Sequence, residues 1–253
     1  MHLKGNAGDP LPTVWNTLEA KGINFLRGQL CLICAAPGVG KSALILAYAV
    51  KARVPTFYFS ADSDSFTVLT RMLSIETGCP LSESTERVRN QQDVELEDLI
   101  RFSFESSPTL ENLKTSLESY EEVYGDFPAL IVVDNVTNVL TDLNEEDPFA
   151  GLEVLMEQLH GLARLTGACV VGLHHVLGQY NDGATPIPLS GIKGQIARVP
   201  EVVLTLHRVC SSYGPDSFRV SAVKNRSSKA DPSGLDWAAL EFDGSRMLIT
   251  DPK

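Results

Sequence analysis

No apolar run in these 253 residues approaches the ~18–20 needed to cross a bilayer. The opening, MHLKGNAGDP, also lacks the apolar core of an export signal. These two absences set the expectation of a cytoplasmic protein with no membrane partner. Cysteine is sparse and odd in number, five in all, which argues against a disulfide framework. Cys31 and Cys34 form a CxxC, but they fall in an apolar run read as a strand. Residues i and i+3 of a strand point to opposite faces, so the pair is read as core and not as a metal site. Positive charge is short as well, with 21 Lys and Arg against 32 Asp and Glu, a net charge of −11. That balance argues against nonspecific nucleic-acid binding over the whole surface and confines any DNA contact to local basic loops, which a ring would gather. Internal repeats and flexible linkers are missing too. With 43% hydrophobic and 21% charged residues, the composition is that of an ordinary globular α/β domain. The expected division is an arm over 1–20, able to pack on a neighbouring subunit, and a core over 21–253.

What the chain does have is CLICAAPGVGKSAL at 31–44. An apolar strand pattern over 30–34 enters a loop of small residues, which closes on Gly40-Lys41-Ser42 and leads directly into an apolar helical pattern over 43–49. This order of strand, loop and helix matches the phosphate-loop template G-x-x-x-x-G-K-[ST] (Walker A). Ala36, Pro37, Gly38, Val39, Gly40, Lys41, Ser42 and Ala43 form the expected cradle. Its glycines let backbone N–H groups turn toward phosphate oxygens, and the new helix aims its positive end at them. Lys41 reaches the β- and γ-phosphates, and Ser42 puts its hydroxyl on Mg²⁺. One position departs from the template: Ala35 stands where the first glycine belongs.

Further along, 56–59 reads as a second strand ending in Ser60-Ala61-Asp62-Ser63-Asp64, with a helical pattern after it. Residues 78–90 read as polar and turn-rich, 93–104 as an acidic helix, and 110–123 as a helix with Leu110, Leu113 and Leu117 on one face. Ala129-Leu130-Ile131-Val132-Val133-Asp134-Asn135 is a buried-strand run carrying a carboxylate to its tip, the Walker B pattern. Asp134 is the expected partner of Mg²⁺, through a water. Leu152, Leu155, Met156, Leu159 and Leu162 mark an amphipathic helix, followed by a strand at 169–173 tipped by His174-His175. The stretch 178–194 is a long Gly/Pro-rich loop, of the kind that is functional or disordered. Strands at 202–207 and 218–223, a turn at 225–234, and a hairpin around Asp243-Gly244 complete the chain.

From about Leu11 to Ile249, this order of motifs resembles the RecA-type ATPase core, and within it the DnaB-type replicative helicases. The resemblance implies a mostly parallel RecA-like sheet flanked by helices, with ATP and Mg²⁺ as cofactors and single-stranded DNA as partner. It also implies a homo-oligomeric, hexameric ring whose active sites are shared between subunits. Phe59-Ser60-Ala61-Asp62 matches the family's strand ending in Ser-Leu-Glu, so Asp62 takes the place of the water-activating Glu, with Asp64 as its local competitor. His174-His175 stands at the family's γ-phosphate sensor, which makes His175 the relay to a DNA-facing loop of Lys193, Gly194 and Arg198. Histidine there is similar to the RepA-type hexameric helicases. Lys224-Asn225-Arg226 matches the family's Lys-x-Arg finger, which completes a neighbour's site in trans. The family's N-terminal primase-binding domain has no counterpart here, which suggests a phage or plasmid protein or an accessory ATPase. Three other readings stay open: a RecA- or RadA-like recombination ATPase, a metal-dependent nuclease using Asp62, Asp64 and Asp134, and an ATP-binding regulator.

Overall fold

The structure, a computed structural model, describes residues 8–92, 98–141 and 148–253. Among them, nine strands form a single sheet in the order β3-β2-β4-β5-β1-β6-β7-β8-β9. The first six in that order are parallel: β3 (Ile100–Ser103), β2 (Thr56–Ser60), β4 (Leu130–Asp134), β5 (Cys169–His174), β1 (Leu30–Cys34) and β6 (Val202–Val209). The last three, β7 (Asp216–Asn225), β8 (Trp237–Asp243) and β9 (Leu248–Thr250), add antiparallel.

β1, β2, β4 and β5 are buried along their whole length, which is why they read as unbroken apolar runs and not as alternating ones. The central helix α2 (Lys41–Ala52) buries ten of its twelve residues. A helix apolar on nearly every face belongs inside a core, and this one fixes the loop from which it springs. Around the sheet lie α3 (Ser65–Thr77), α4 (Leu81–Arg89), α5 (Leu110–Tyr124) and α6 (Pro148–Thr166). α5 opens with a capping box between Thr109 and Asn112 and closes on left-handed Gly125, both standard helix boundaries.

The expected polar turn at 78–90 is instead mostly helix α4. Pro80 stands at its N-cap, and the Ser, Thr and Glu residues that suggest a turn mostly face solvent while Ser84 is buried. The expected acidic helix over 93–104 is also corrected. Its first five residues, 93–97, lie outside the described residues, and Ile100-Arg101-Phe102-Ser103 form β3, the parallel edge strand paired with β2.

The described part of the N-terminal segment packs on this chain's own C-terminal strands. Before and within α1 (Asn16–Ala20), Leu11, Trp15 and Leu18 are buried. The Trp15 indole donates to the Ile249 carbonyl at 3.0 Å, and Asp251 accepts the backbone N–H groups of Asn16 and Thr17, each at 2.9 Å.

Candidate functional site

β1 lies at the switch point of the sheet, with β5 on one side and β6 on the other. Ligands of open α/β sheets bind at the carboxyl ends of strands at such a point, and the loop 35–40 stands there. Gly38 (φ 74°) and Gly40 (φ 123°) take left-handed backbone conformations. A Cβ on Gly40 would come within 2.5 Å of the Phe218 ring, so both backbone and space demand glycine. Ala35 has no such requirement: its φ is not positive, and its N–H donates to the His174 carbonyl at 3.2 Å. The departure from the template is therefore tolerated. No side chain caps α2, which leaves the N–H groups of its first turn open to an anion.

Lys41 is buried, and its ammonium donates to the Ala35 and Ala36 carbonyls at 3.2 and 3.3 Å. Burial pulls its pKa below the ordinary lysine value, while Asp134, Cys34 and Asp62 nearby pull the other way. Asp134, at the tip of β4, is buried too. Its Oδ2 accepts the Tyr58 hydroxyl at 2.8 Å, and the Ser42 hydroxyl lies near enough to bear on the carboxylate's ionisation. Burial raises the Asp134 pKa, and the Ser42 and Tyr58 hydroxyls oppose that rise. Its Oδ1 is buried without a partner. Ser42 and Asp134, the two residues expected at Mg²⁺, thus lie near each other. An orphaned carboxylate oxygen beside a hydroxyl is a donor set that fits a hydrated hard cation.

Asp62 follows β2 and is exposed. Its two oxygens accept the side-chain amides of Asn135 and of Asn138, the latter at 3.2 Å. Asp64, its expected competitor, is engaged elsewhere as the N-cap of α3, accepting the Thr67 N–H and hydroxyl, each at 2.9 Å. The three-carboxylate arrangement of the nuclease reading therefore does not gather. Among the described residues, no group of three His, Cys, Asp or Glu side chains could hold a metal ion.

At the end of β5, both histidines bond to Lys193. His174 Nε2 donates to the Lys193 carbonyl at 2.8 Å, and the His175 carbonyl accepts the Lys193 N–H at 3.5 Å. The His175 ring is close enough to Lys41 and Asp62 for both charges to bear on it. The connection from the end of β5 to Lys193 thus runs through His174 as well as His175.

Buried histidines also give the fold a pH dependence. Burial lowers the pKa of His174, and of His207 beside Arg219, to about 4 each. Unfolding returns both toward ~6.5, so below that pH the unfolded chain binds more protons. Stability is full above about pH 6.5 and falls as the pH drops toward 4. Thermal melts from about pH 7.5 to 4.5 are expected to show this decline, shallower for His207→Asn.

Residues Lys193–Arg198 form a 3₁₀ segment running from the sensor histidines toward the start of β6. Its far end is held by Lys224 and Arg226, the residues expected as a finger. Lys224 donates to the Ala197 and Arg198 carbonyls at 2.8 and 2.6 Å, and Arg226 donates to the Arg198 carbonyl at 3.3 Å. Arg198 itself pairs with Glu153 at 2.5 Å. Arg226 lies 3.7 Å from Glu201. That buried carboxylate also accepts the Leu30 N–H at 3.0 Å and contacts His160 at 2.7 Å. The register pairs Cys31 with Val202 and Val202 with Asn225. Lys224 and Arg226 therefore sit level with the start of β1, across β6 from it and at the opposite end of the strands from their own phosphate loop.

Tyr58, Asn135, Asn138 and His160 were not singled out by sequence reasoning, whereas Glu201 stands where the resemblance has the Asp of an Asp-Val-Val. For the two asparagines a signal was present, since amides directly after the Asp134 tip suggest a polar site. Tyr58 and His160 emerge only from strand pairing and helix packing.

Residues 21–177 match the protein family described as an AAA domain, more than half of this chain. The chain belongs to that family. This AAA-domain protein is 57% identical over 258 aligned positions to the Gene 65 protein of Mycobacterium phage L5, covering 99% of this chain and 96% of that one. It is also 57% identical over 229 positions to the Gene 65 protein of Mycobacterium phage D29, covering 88% and 99%. The replicative DNA helicase DnaB of Leifsonia xyli subsp. xyli (strain CTCB07) is 24% identical over 225 positions, covering 83% of this chain but 49% of the helicase. The AAA-domain chain thus spans about half of that relative. Among solved structures, a DnaB-like replicative helicase matches with a TM-score of 0.81 at 14% identity, over 96% of this chain and 63% of that chain. The ATPase domain of G40P matches with a TM-score of 0.80 at 13% identity, over 99% and 94%. The fold is RecA-like, of the DnaB type, and the AAA-domain protein is a P-loop ATPase. Among the described residues, no helix is long and apolar enough to cross a membrane.

Proposed function

We propose that this ATPase is a Mg-ATP-driven motor of the DnaB-helicase type, which tracks single-stranded DNA as a homo-oligomeric ring, a hexamer, in replication or recombination. The likeness to phage proteins supports a reading in which this work is done in the host cytoplasm. The observation that carries the reading is the segment Lys193–Arg198, held at one end by the histidines of the sensor position and at the other by Lys224 and Arg226. A DNA-facing loop tied to both the chain's own nucleotide and its finger is what a coupled motor needs.

In this reading the open N–H groups of Gly38 to Ala43 and the Lys41 ammonium bind the triphosphate. Ser42 and Asp134 would hold the metal, which when bound would neutralise developing phosphate charge. Asp62, steadied by Asn135 and Asn138, orients the attacking water. His175 faces the nucleotide, and His174 carries its state to the Lys193 carbonyl. Lys193 and Arg198 engage DNA phosphates, Arg198 by exchanging Glu153 for phosphate. Lys224 and Arg226 complete the neighbour's site.

The test is ATP turnover with and without single-stranded DNA, at protein concentrations spanning ring assembly, together with strand displacement on a forked duplex. Turnover is expected to rise severalfold with DNA and to rise with concentration. Lys193→Ala should reduce the salt slope of DNA binding by about 1, the mark of one lost phosphate contact. Turnover indifferent to both DNA and concentration would leave an ATP-binding regulator in place of a motor. DNA-stimulated turnover with strand exchange but no displacement would favour the recombination ATPase.

A further inference from the structure

Asp134 has two oxygens in different circumstances. Oδ2 accepts the Tyr58 hydroxyl at 2.8 Å, whereas Oδ1 is buried with no partner. The donor comes from the neighbouring strand. β2 pairs with β4 so that Tyr58 faces Val132 and Ser60 faces Asp134, which lets the tyrosine reach along the sheet to the strand tip. Both side chains are buried. The Tyr58 ring is packed against Phe102 of β3, with centroids 5.4 Å apart, and Phe102 stacks on Phe104 at 5.5 Å. The hydroxyl is therefore delivered by a braced ring.

A carboxylate turns broadly about its last torsion, because that torsion has no sharp staggered wells. A fixed donor on one oxygen removes that freedom and decides where the other oxygen points. Metal ligands depend on such outer partners for their orientation. We propose that Tyr58 is a positioning residue for the metal site: its hydroxyl locks the Asp134 carboxylate so that Oδ1 faces the hydrated divalent cation beside Ser42. This rests on the reading of Asp134 as the metal carboxylate. The competing account is that a buried tyrosine hydroxyl merely needs some acceptor. On that account its removal costs stability and leaves metal affinity alone.

Tyr58→Phe removes the hydroxyl and keeps the ring. Mn²⁺ binding to the protein carrying a non-hydrolysable ATP analogue, followed by electron paramagnetic resonance, reads the metal directly. The Mg²⁺ dependence of turnover reads it a second way. The variant is expected to bind Mn²⁺ about tenfold or more weakly and to need correspondingly more Mg²⁺ for half-maximal turnover. Analogue binding without metal should stay at the wild-type level, which also checks that the site is folded. Phe102→Leu, which loosens the brace but keeps the hydroxyl, should shift Mn²⁺ affinity in the same direction by less. If Tyr58→Phe does not fold, unchanged Mn²⁺ affinity in Phe102→Leu overturns the proposal. Asp134→Asn separates the two levels of the argument. If it leaves Mn²⁺ affinity unchanged, the metal-carboxylate reading fails and Tyr58 falls with it. If it weakens Mn²⁺ binding while Tyr58→Phe does not, only the positioning role is overturned.

Discussion

In an assembled ring, Arg226→Ala is expected to lower ATP turnover by about 10³-fold or more, the range over which arginine fingers act. The fold should survive the change. The guanidinium is half exposed, its contacts are one carbonyl at 3.3 Å and Glu201 3.7 Å away, and Glu201 keeps the Leu30 N–H and His160 as partners when Arg226 is removed. Nucleotide affinity should change little, because the chain's own phosphate loop lies at the other end of β1. The decisive experiment mixes Arg226→Ala subunits with Lys41→Ala subunits. Each is inactive alone. In mixed rings, some interfaces join an intact phosphate loop to an intact finger, and turnover should return in proportion to their number. Mixed rings that stay inactive would remove Arg226 from the neighbour's site.

Lys41→Ala carries the second large effect, a loss of roughly 10²–10³-fold in turnover, as for removal of a preorganised donor at developing charge. The ammonium sits over the Ala35 and Ala36 carbonyls, the position from which a short swing reaches phosphate. Because burial already disfavours its charge, an incoming triphosphate restores a favourable partner to a desolvated cation, and nucleotide affinity should fall with turnover. Lys41→Arg should not rescue, since a planar guanidinium does not replace a compact, mobile ammonium in a loop of this size. Isothermal titration with ATP and a steady-state turnover assay give both quantities. Wild-type turnover in Lys41→Ala would remove the loop from the chemistry.

The phosphate loop was legible because its chemistry constrains neighbouring residues: glycines for backbone shape, a lysine for charge, a serine for metal, then a helix. Asp134 was legible because a fully buried strand leaves an unbroken apolar run before it. β3 was not. Four half-buried edge residues carry too little periodicity, and the acidic residues just before them favour a helical reading. Helix α4 was hidden by a composition of serine, threonine and glutamate that turns share. Lys224 and Arg226 stood out through resemblance alone, since a basic turn has no signature of its own. Tyr58 could not be seen at all from a linear text: it meets Asp134 across 76 residues, through a strand pairing that only the folded sheet reveals. The helix cap that occupies Asp64 was likewise hidden, a local detail that depends on where α3 begins.

The position of β1 in the sheet sets a timetable for the newborn protein. Leu30 pairs with Val170, and Cys31 pairs with Val202, so the strand that carries the phosphate loop has neither neighbour until most of the message has been read. At roughly 5–20 residues per second, a ribosome that has finished β1 needs on the order of ten to thirty seconds more to deliver β6. Through that interval the segment that later grips the triphosphate remains an apolar strand with two open edges, in need of shelter. Chains released before β6 should not bind nucleotide, so competence to bind ATP arrives late in synthesis.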